Sequence, residues 1–172
     1  ITMMPGKPMM FGKIGDKPVF GIPGYPVSAI VAFEQFAGPL LLKMQRHGEI
    51  DKAIVPVFPA RKIASKLGQE EFLRVKIGSV DGKLISSQLP RGSGSITTLT
   101  EADGIIRIPR NIEGISENEQ VDATLIRPLS DIKNTIVITG SHDNTIDLLA
   151  DQVKRVNGDI GISSSHVGSM GG

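Results

Sequence analysis

The 172-residue chain has no cysteine and no tryptophan, and only one tyrosine and six phenylalanines. Without thiols there are no disulfides, no thiolate zinc sites and no cysteine nucleophile, so any metal would need oxygen or histidine ligands. Excess charge is missing too: 19 basic against 18 acidic side chains leave +1 at pH 7. A protein devoted to nucleic acid carries a clear basic surplus, so nucleic acid is not expected as a partner. No apolar run approaches the about 20 residues of a membrane span, and no charged-then-apolar leader opens the chain. A cytoplasmic protein without a membrane partner is therefore expected. Apolar content is near average, enough for one or two globular domains with real cores.

The chain divides by texture. "MMFGKIGDKPVFGIPG" reads as two strands, 8–14 and 17–22, turning at Gly15-Asp16. From Val27 to about Met44 the residues Val27, Ile30, Val31, Phe33, Phe36, Leu40 and Leu41 recur at helical spacing, with Pro39 kinking or breaking the last third. Polar "RHGEIDK" then serves as a linker. "AIVPVFPARKI", "EEFLRVKIGSV", "GKLISSQLP", "IIRIP" and "EQVDATLI" alternate like strands, and Val80-Asp81-Gly82-Lys83 is a strong hairpin signal. "SGSITTLTEADG" between them reads as a helix capped by Ser93 or Ser95 and closed at Gly104. After "RPLSDIKN", a second boundary, "TIVITGSHD", "NTIDLLADQVKRV" and "GDIGISSSHVGSMGG" form the start of a β-α-β unit with parallel strands. The fold class is thus α/β plus mainly-β: the end of an α/β domain over 1–48, a small β-barrel or sandwich over 51–128, and a truncated β-α-β segment over 134–172. Ile1 in place of Met and the glycine-rich last residues suggest a piece of a longer protein.

Three constellations could carry chemistry. In "GIPGYPVS" a strand breaks into two prolines around a glycine just before a helix, so Pro23, Gly24, Pro26 and Ser28 set a rigid turn whose amides could receive an oxyanion. Lys7 in "MPGKP" could add a charge. The plain alternative is a stiff strand-to-helix connection. In the second domain Arg74, Arg91 and the serines of "GSGS", Ser93 and Ser95, could hold an oxyanion, or be a solvated strand residue and a turn. Third, Ser163, Ser164, Ser165, His166 and Ser169 fall where open α/β sheets bind ligands, with His142 facing the same crevice, or they form a polar loop. No carboxylate pair, Ser-His-Asp set or metal-ligand spacing is identifiable. By its residues alone the chain is an anion-binding piece of an α/β protein.

Three stretches together resemble one family. "MPGKPMMFGKIGDKPVFGIPGYPVSAIVAFEQF" is similar to the end of the third domain, MogA-like in fold, of molybdopterin molybdenumtransferase of the MoeA type, related to the E domain of gephyrin. "GQEEFLRVKI" and "SQLPRGSGSITTLTEADGIIRIP" resemble that family's β-rich fourth domain, in matching order. The similarity covers about residues 3 to 128. "GSHDNTIDLLADQV" and "SSSHVGSMGG" resemble the opening of a periplasmic-binding-protein-like domain that follows this enzyme in some prokaryotes.

The resemblance implies molybdenum-cofactor synthesis: adenylylated molybdopterin is cleaved, AMP leaves, and molybdate enters the dithiolene, with Mg²⁺ present and a homodimer as the working form. Lys7 matches the lysine of the family's "PGKP"; Pro23, Gly24, Pro26 and Ser28 match its "PGNPVS"; Arg74 matches the arginine of "EFxR"; Ser93 or Ser95 falls at its "GSG" element. All would be ligands of molybdate or the pterin phosphate. Tyr25 for asparagine, Met4 for lysine and Gln69 for arginine are departures, and the acidic catalytic residues are expected upstream of residue 1. The isolated chain is accordingly expected to lack turnover. Two other classes fit the residues: a molybdate- or tungstate-sensing module centred on Ser164, Ser165, His166 and Ser169, and a dimerisation module.

Overall fold

A computed structural model describes residues 2–48, 50–94, 96–141 and 143–166. A two-residue strand β1 (Met3–Met4) is followed by the hairpin β2 (Met10–Ile14) and β3 (Lys17–Gly21), with Gly15 at φ 58° in the tight turn. Behind Pro23-Gly24 comes α1 (Pro26–Ala32), then a π-helical stretch, Phe33–Ala37, then α2 (Gly38–Met44). Pro39 therefore does not break the helix. Proline has no N–H for the carbonyl four residues back, and its ring crowds that carbonyl. The helix instead widens just before it, where Gly38 N–H reaches Phe33 O five residues back. The span Pro26–Met44 is by length and composition long and apolar enough to cross a membrane, which corrects the expectation that no stretch comes close. One face of it, with Val27, Val31 and Ala32, is buried together with Met3 and Phe72.

Five further strands close into a barrel. These are β4 (Ile54–Pro59), β6 (Glu70–Val80), β7 (Lys83–Gln88), β8 (Gly104–Ile108) and β10 (Val121–Leu125), and β6 pairs with both β7 and β8, joining the two ends of the order β6-β7-β4-β10-β8. Closure removes the free edges that a sandwich would leave. All pairs in the ring are antiparallel except β4 with β7, and β1 lies parallel to β6 through Met3 opposite Glu70. Asp81 and Gly82, at φ 49° and 79°, make the β6–β7 turn. The interior is apolar: Val57, Leu73, Val75, Ile77, Ile106, Ile108, Ala123 and Leu125. Ile63 and Ile115, from the ribbon β5 (Ile63–Ala64) with β9 (Gly114–Ile115), join this core.

One local expectation is corrected. The helix α3 (Thr97–Glu101) starts from Ile96 with no side-chain cap, rather than from Ser93 or Ser95, and Gly104 does not end it. Gly104 opens β8, where a Cβ would stand 3.1 Å from Ile77 Cδ1 and from Thr124 O. The boundary segment "RPLSDIKN" forms the helix α4 (Leu129–Lys133), whose Ile132 is fully buried in the barrel core. Beyond it β11 (Thr135–Gly140), α5 (Asn144–Val156) and β12 (Gly161–His166) form the β-α-β unit with parallel strands. Asp143 caps α5 by accepting the Thr145 N–H at 2.8 Å. The inner face of α5 carries Ile146 and Val153, half-buried, whereas Leu148 and Leu149 are exposed.

Candidate functional site

Side chains alternate along β6. Leu73, Val75 and Ile77 fill the barrel, so Phe72, Arg74 and Lys76 point outward, where Phe72 packs with α1. An arginine there is covered rather than solvated, and Arg74 is only 2% exposed. Its Nη2 donates to Pro90 O at 2.8 Å and Gly92 O at 3.2 Å, and the Leu89 N–H donates to Arg74 O at 3.0 Å. Its Nε and Nη1 are buried with no partner among the described residues. Burial lowers the Arg74 pKa and the nearby Glu71 charge partly restores it, but a guanidinium keeps its proton throughout the working range. Buried N–H groups without acceptors are uncommon because each costs about 1–3 kcal/mol, more on a charged group. An oxyanion arriving at Nε and Nη1 would supply what is missing.

The loop held by Arg74 also meets the proline-glycine turn. Val27 N–H donates to Ser93 O at 3.2 Å, and Gly94 lies beside the Tyr25 ring, 3.8 Å from its Cδ1 as measured from where a Cβ would stand. Pro8 shares a hollow of about 440 Å³ with Pro23, Gly24 and Tyr25, which puts the exposed Lys7 one residue from its wall. The structure thus gathers Arg74, Ser93 and the 23–28 turn, and sets Lys7 at the margin. It also corrects the picture of a helix start with open amides. Pro26 has no N–H, Val27 N–H is taken by Ser93 O, and Ser28 is 2% exposed. The turn anchors the loop more than it cradles a ligand itself.

Arg91 is drawn toward protein partners rather than toward Arg74. Its Nε pairs with Glu71 Oε1 at 2.7 Å and its Nη2 donates to Ala64 O. Ser65 Oγ donates to Glu71 Oε2 at 2.8 Å. A second buried charge set, absent from the sequence reading, lies two residues beyond Arg74. Asp103 Oδ2 accepts Ile77 N–H at 2.9 Å, and its Oδ1 meets Arg127 Nη1 at 2.8 Å and Lys76 Nζ at 3.8 Å. Burial lowers the Lys76 pKa, against the pull of Asp103. The signal for both sets was "EEFLRVKI", in which charges alternate with apolar residues along a strand with two covered faces.

The serine-rich segment is placed differently from a loop. Ser163, Ser164 and Ser165 lie within β12, opposite Val137, Ile138 and Thr139, and His166 opposite Gly140. Ser95, His142 and Ser169 lie outside the described residues. Among the described residues no three of His, Cys, Asp and Glu gather as a cation site, so the Mg²⁺ implied by the resemblance finds no ligand set in them.

A closed five-stranded barrel, with a buried and half-paired arginine behind a glycine-serine loop and a helix leaning on its outer face, defines a small accessory β domain. Residues 59–126 match the model of the MoeA C-terminal region, domain IV, and the chain carries the C-terminal region of that family. A Methanocaldococcus jannaschii protein named for molybdopterin biosynthesis is 39% identical over 127 residues, 74% of this chain and 29% of that protein. Molybdopterin molybdenumtransferase 2 of Mycobacterium tuberculosis is 27% identical over 121 residues, 70% of this chain and 30% of its own length. The crystal structure of the molybdopterin biosynthesis moeA protein from Pyrococcus horikoshii superposes with a TM-score of 0.58 at 33% identity, covering 72% of this chain and 30% of that one. The chain spans less than a third of the length of these relatives.

Proposed function

We propose that the chain works as part of a molybdopterin molybdenumtransferase in molybdenum-cofactor biosynthesis, and that Arg74 receives an oxyanion there, molybdate or the phosphate of adenylylated molybdopterin. The observation that carries this is the buried Arg74 guanidinium, with Nε and Nη1 unpartnered while Nη2 holds the 90–92 carbonyls. Inserting molybdate and releasing AMP brings anionic groups close together, and fixed cations lower that cost. In this reading Arg74 orients the anion, Lys7 adds charge from the margin, Ser93 lines the loop, and Pro23, Gly24, Pro26 and Ser28 keep the loop in place. The acids and any Mg²⁺ ligands come from elsewhere in the enzyme, which works as a cytoplasmic homodimer. Residues 1–48 as the end of a MogA-like domain, and the β-α-β unit as the opening of a binding-protein-like domain, belong to the same proposal.

Calorimetric titration with molybdate, tungstate and sulfate tests it on the chain as it stands. Molybdate or tungstate binding, preferred over sulfate and weakened about tenfold or more in Arg74→Gln, supports the reading, since a charge-assisted bond is worth about 1.5–3 kcal/mol. Binding indifferent to Arg74→Gln overturns it.

A further inference from the structure

Beyond the Leu89 N–H bond to Arg74 O, the loop 89–94 is fastened at three points among the described residues. Arg74 holds Pro90 and Gly92, Val27 N–H holds Ser93, and between them Arg91 reaches from the loop to Glu71 and Ala64. The first two fastenings belong to the site. The third lies outside it, and nothing in the anion chemistry calls for it. Glu71 is 6% exposed and spends both oxygens, one on Arg91 and one on Ser65. A carboxylate so buried needs a partner, and Arg91 supplies one from the middle of the loop.

We infer that the Glu71–Arg91 ion pair is a positioning device: it fixes the loop 89–94 so that its carbonyls engage only Nη2 and leave the Nε and Nη1 edge of Arg74 unpaired, and it neutralises a carboxylate that would otherwise repel the incoming anion. This rests on the reading of Arg74 given above. The two parts have opposite signatures. Without Glu71 the loop loses its strut, but the local charge becomes more positive. Without Arg91 the strut goes and a buried negative charge is left near Arg74, whose ionisation already responds to it.

Hydrogen exchange and molybdate titration on the full chain, run on Glu71→Gln, Arg91→Gln and the double variant, test this. The Val27 amide, bonded across to Ser93 O, reports the loop without any ligand. It should exchange about tenfold faster in all three, as for loss of about 1.4 kcal/mol of charged hydrogen bonding, while the β6–β8 ladder amides keep their protection. Molybdate affinity should fall several-fold in Glu71→Gln and furthest in Arg91→Gln, and the double variant should recover to the Glu71→Gln level. Unchanged Val27 exchange, or an equal rise across the ladder, overturns the inference. So does a double variant weaker than Arg91→Gln. If the wild-type chain binds no molybdate, the reading of Arg74 fails, and the Val27 exchange still decides whether the pair positions the loop.

Discussion

Replacing Asp103 by alanine should be among the most damaging single changes in the barrel, and its cost should depend on pH. The side chain is 1% exposed and ends the β6–β8 ladder by accepting Ile77 N–H while facing Lys76 and Arg127. Arg127 is one-third exposed and can turn to water. Ile77 N–H cannot, and an orphaned buried N–H costs about 1–3 kcal/mol. Lys76 can escape only by losing its proton. At pH 7 that costs about 4.6 kcal/mol, since the ordinary lysine pKa is about 3.4 units higher and each unit is about 1.4 kcal/mol. That figure is a ceiling on the charge penalty, and breaking a buried pair typically costs about 3–5 kcal/mol. Urea unfolding at pH 7 should therefore show a loss of about 4 kcal/mol, shrinking by up to about 1.4 kcal/mol per unit as pH rises through the range in which wild-type Lys76 keeps its proton. Lys76→Met in the Asp103→Ala background should recover most of the pH-dependent part. A loss below about 1 kcal/mol, the scale of a solvent-exposed pair, or one flat with pH, refutes the reasoning.

The remaining expectations are shorter. Because the Lys76 pKa is lowered in the folded chain, the unfolded chain holds more protons between that value and the ordinary lysine one, so wild-type stability should rise with pH across that window, and Lys76→Met should flatten the rise in urea titrations. Gly114→Ala should cost at least about 2 kcal/mol by thermal melting and free the β5–β9 ribbon for proteolysis, since φ is 143° and a Cβ would stand 2.0 Å from Ile63 O. Asp143→Ala should cost about 1 kcal/mol at the start of α5, seen as faster exchange of the first-turn amides and not of the barrel. The purified chain should release no AMP from adenylylated molybdopterin, and measurable release would show that the catalytic acids are on it.

The local pieces of this fold were legible because local chemistry decides them. Gly15-Asp16 and Asp81-Gly82 turn hairpins between strands, and the apolar spacing from Val27 marks a helix whose buried face the packing then uses. Barrel or sandwich was not decidable, since the answer rests on β8 pairing with both β6 and β10, residues far apart in the chain. Ser93 looked like a helix cap, but its carbonyl serves Val27 and the helix begins from Ile96. At the site, Arg74 was visible as one charge in an alternating strand. Its burial was not, because it follows from the loop at 89–94 and from α1, both remote in sequence. Arg91 looked like a partner in anion binding for the same reason, until the distance to Glu71 assigned it elsewhere.

The proposed seat for an oxyanion is the buried, unpaired Nε and Nη1 edge of Arg74. The most direct measurement is a crystal of this chain soaked in tungstate, with the tungsten located by anomalous scattering. The expected result is a peak whose oxygens lie within hydrogen-bond distance of Arg74 Nε and Nη1, beside the loop 89–94, and no such peak in Arg74→Gln. A tungstate bound away from Arg74, or Nε and Nη1 turned onto protein acceptors with no anion at the loop, would contradict it.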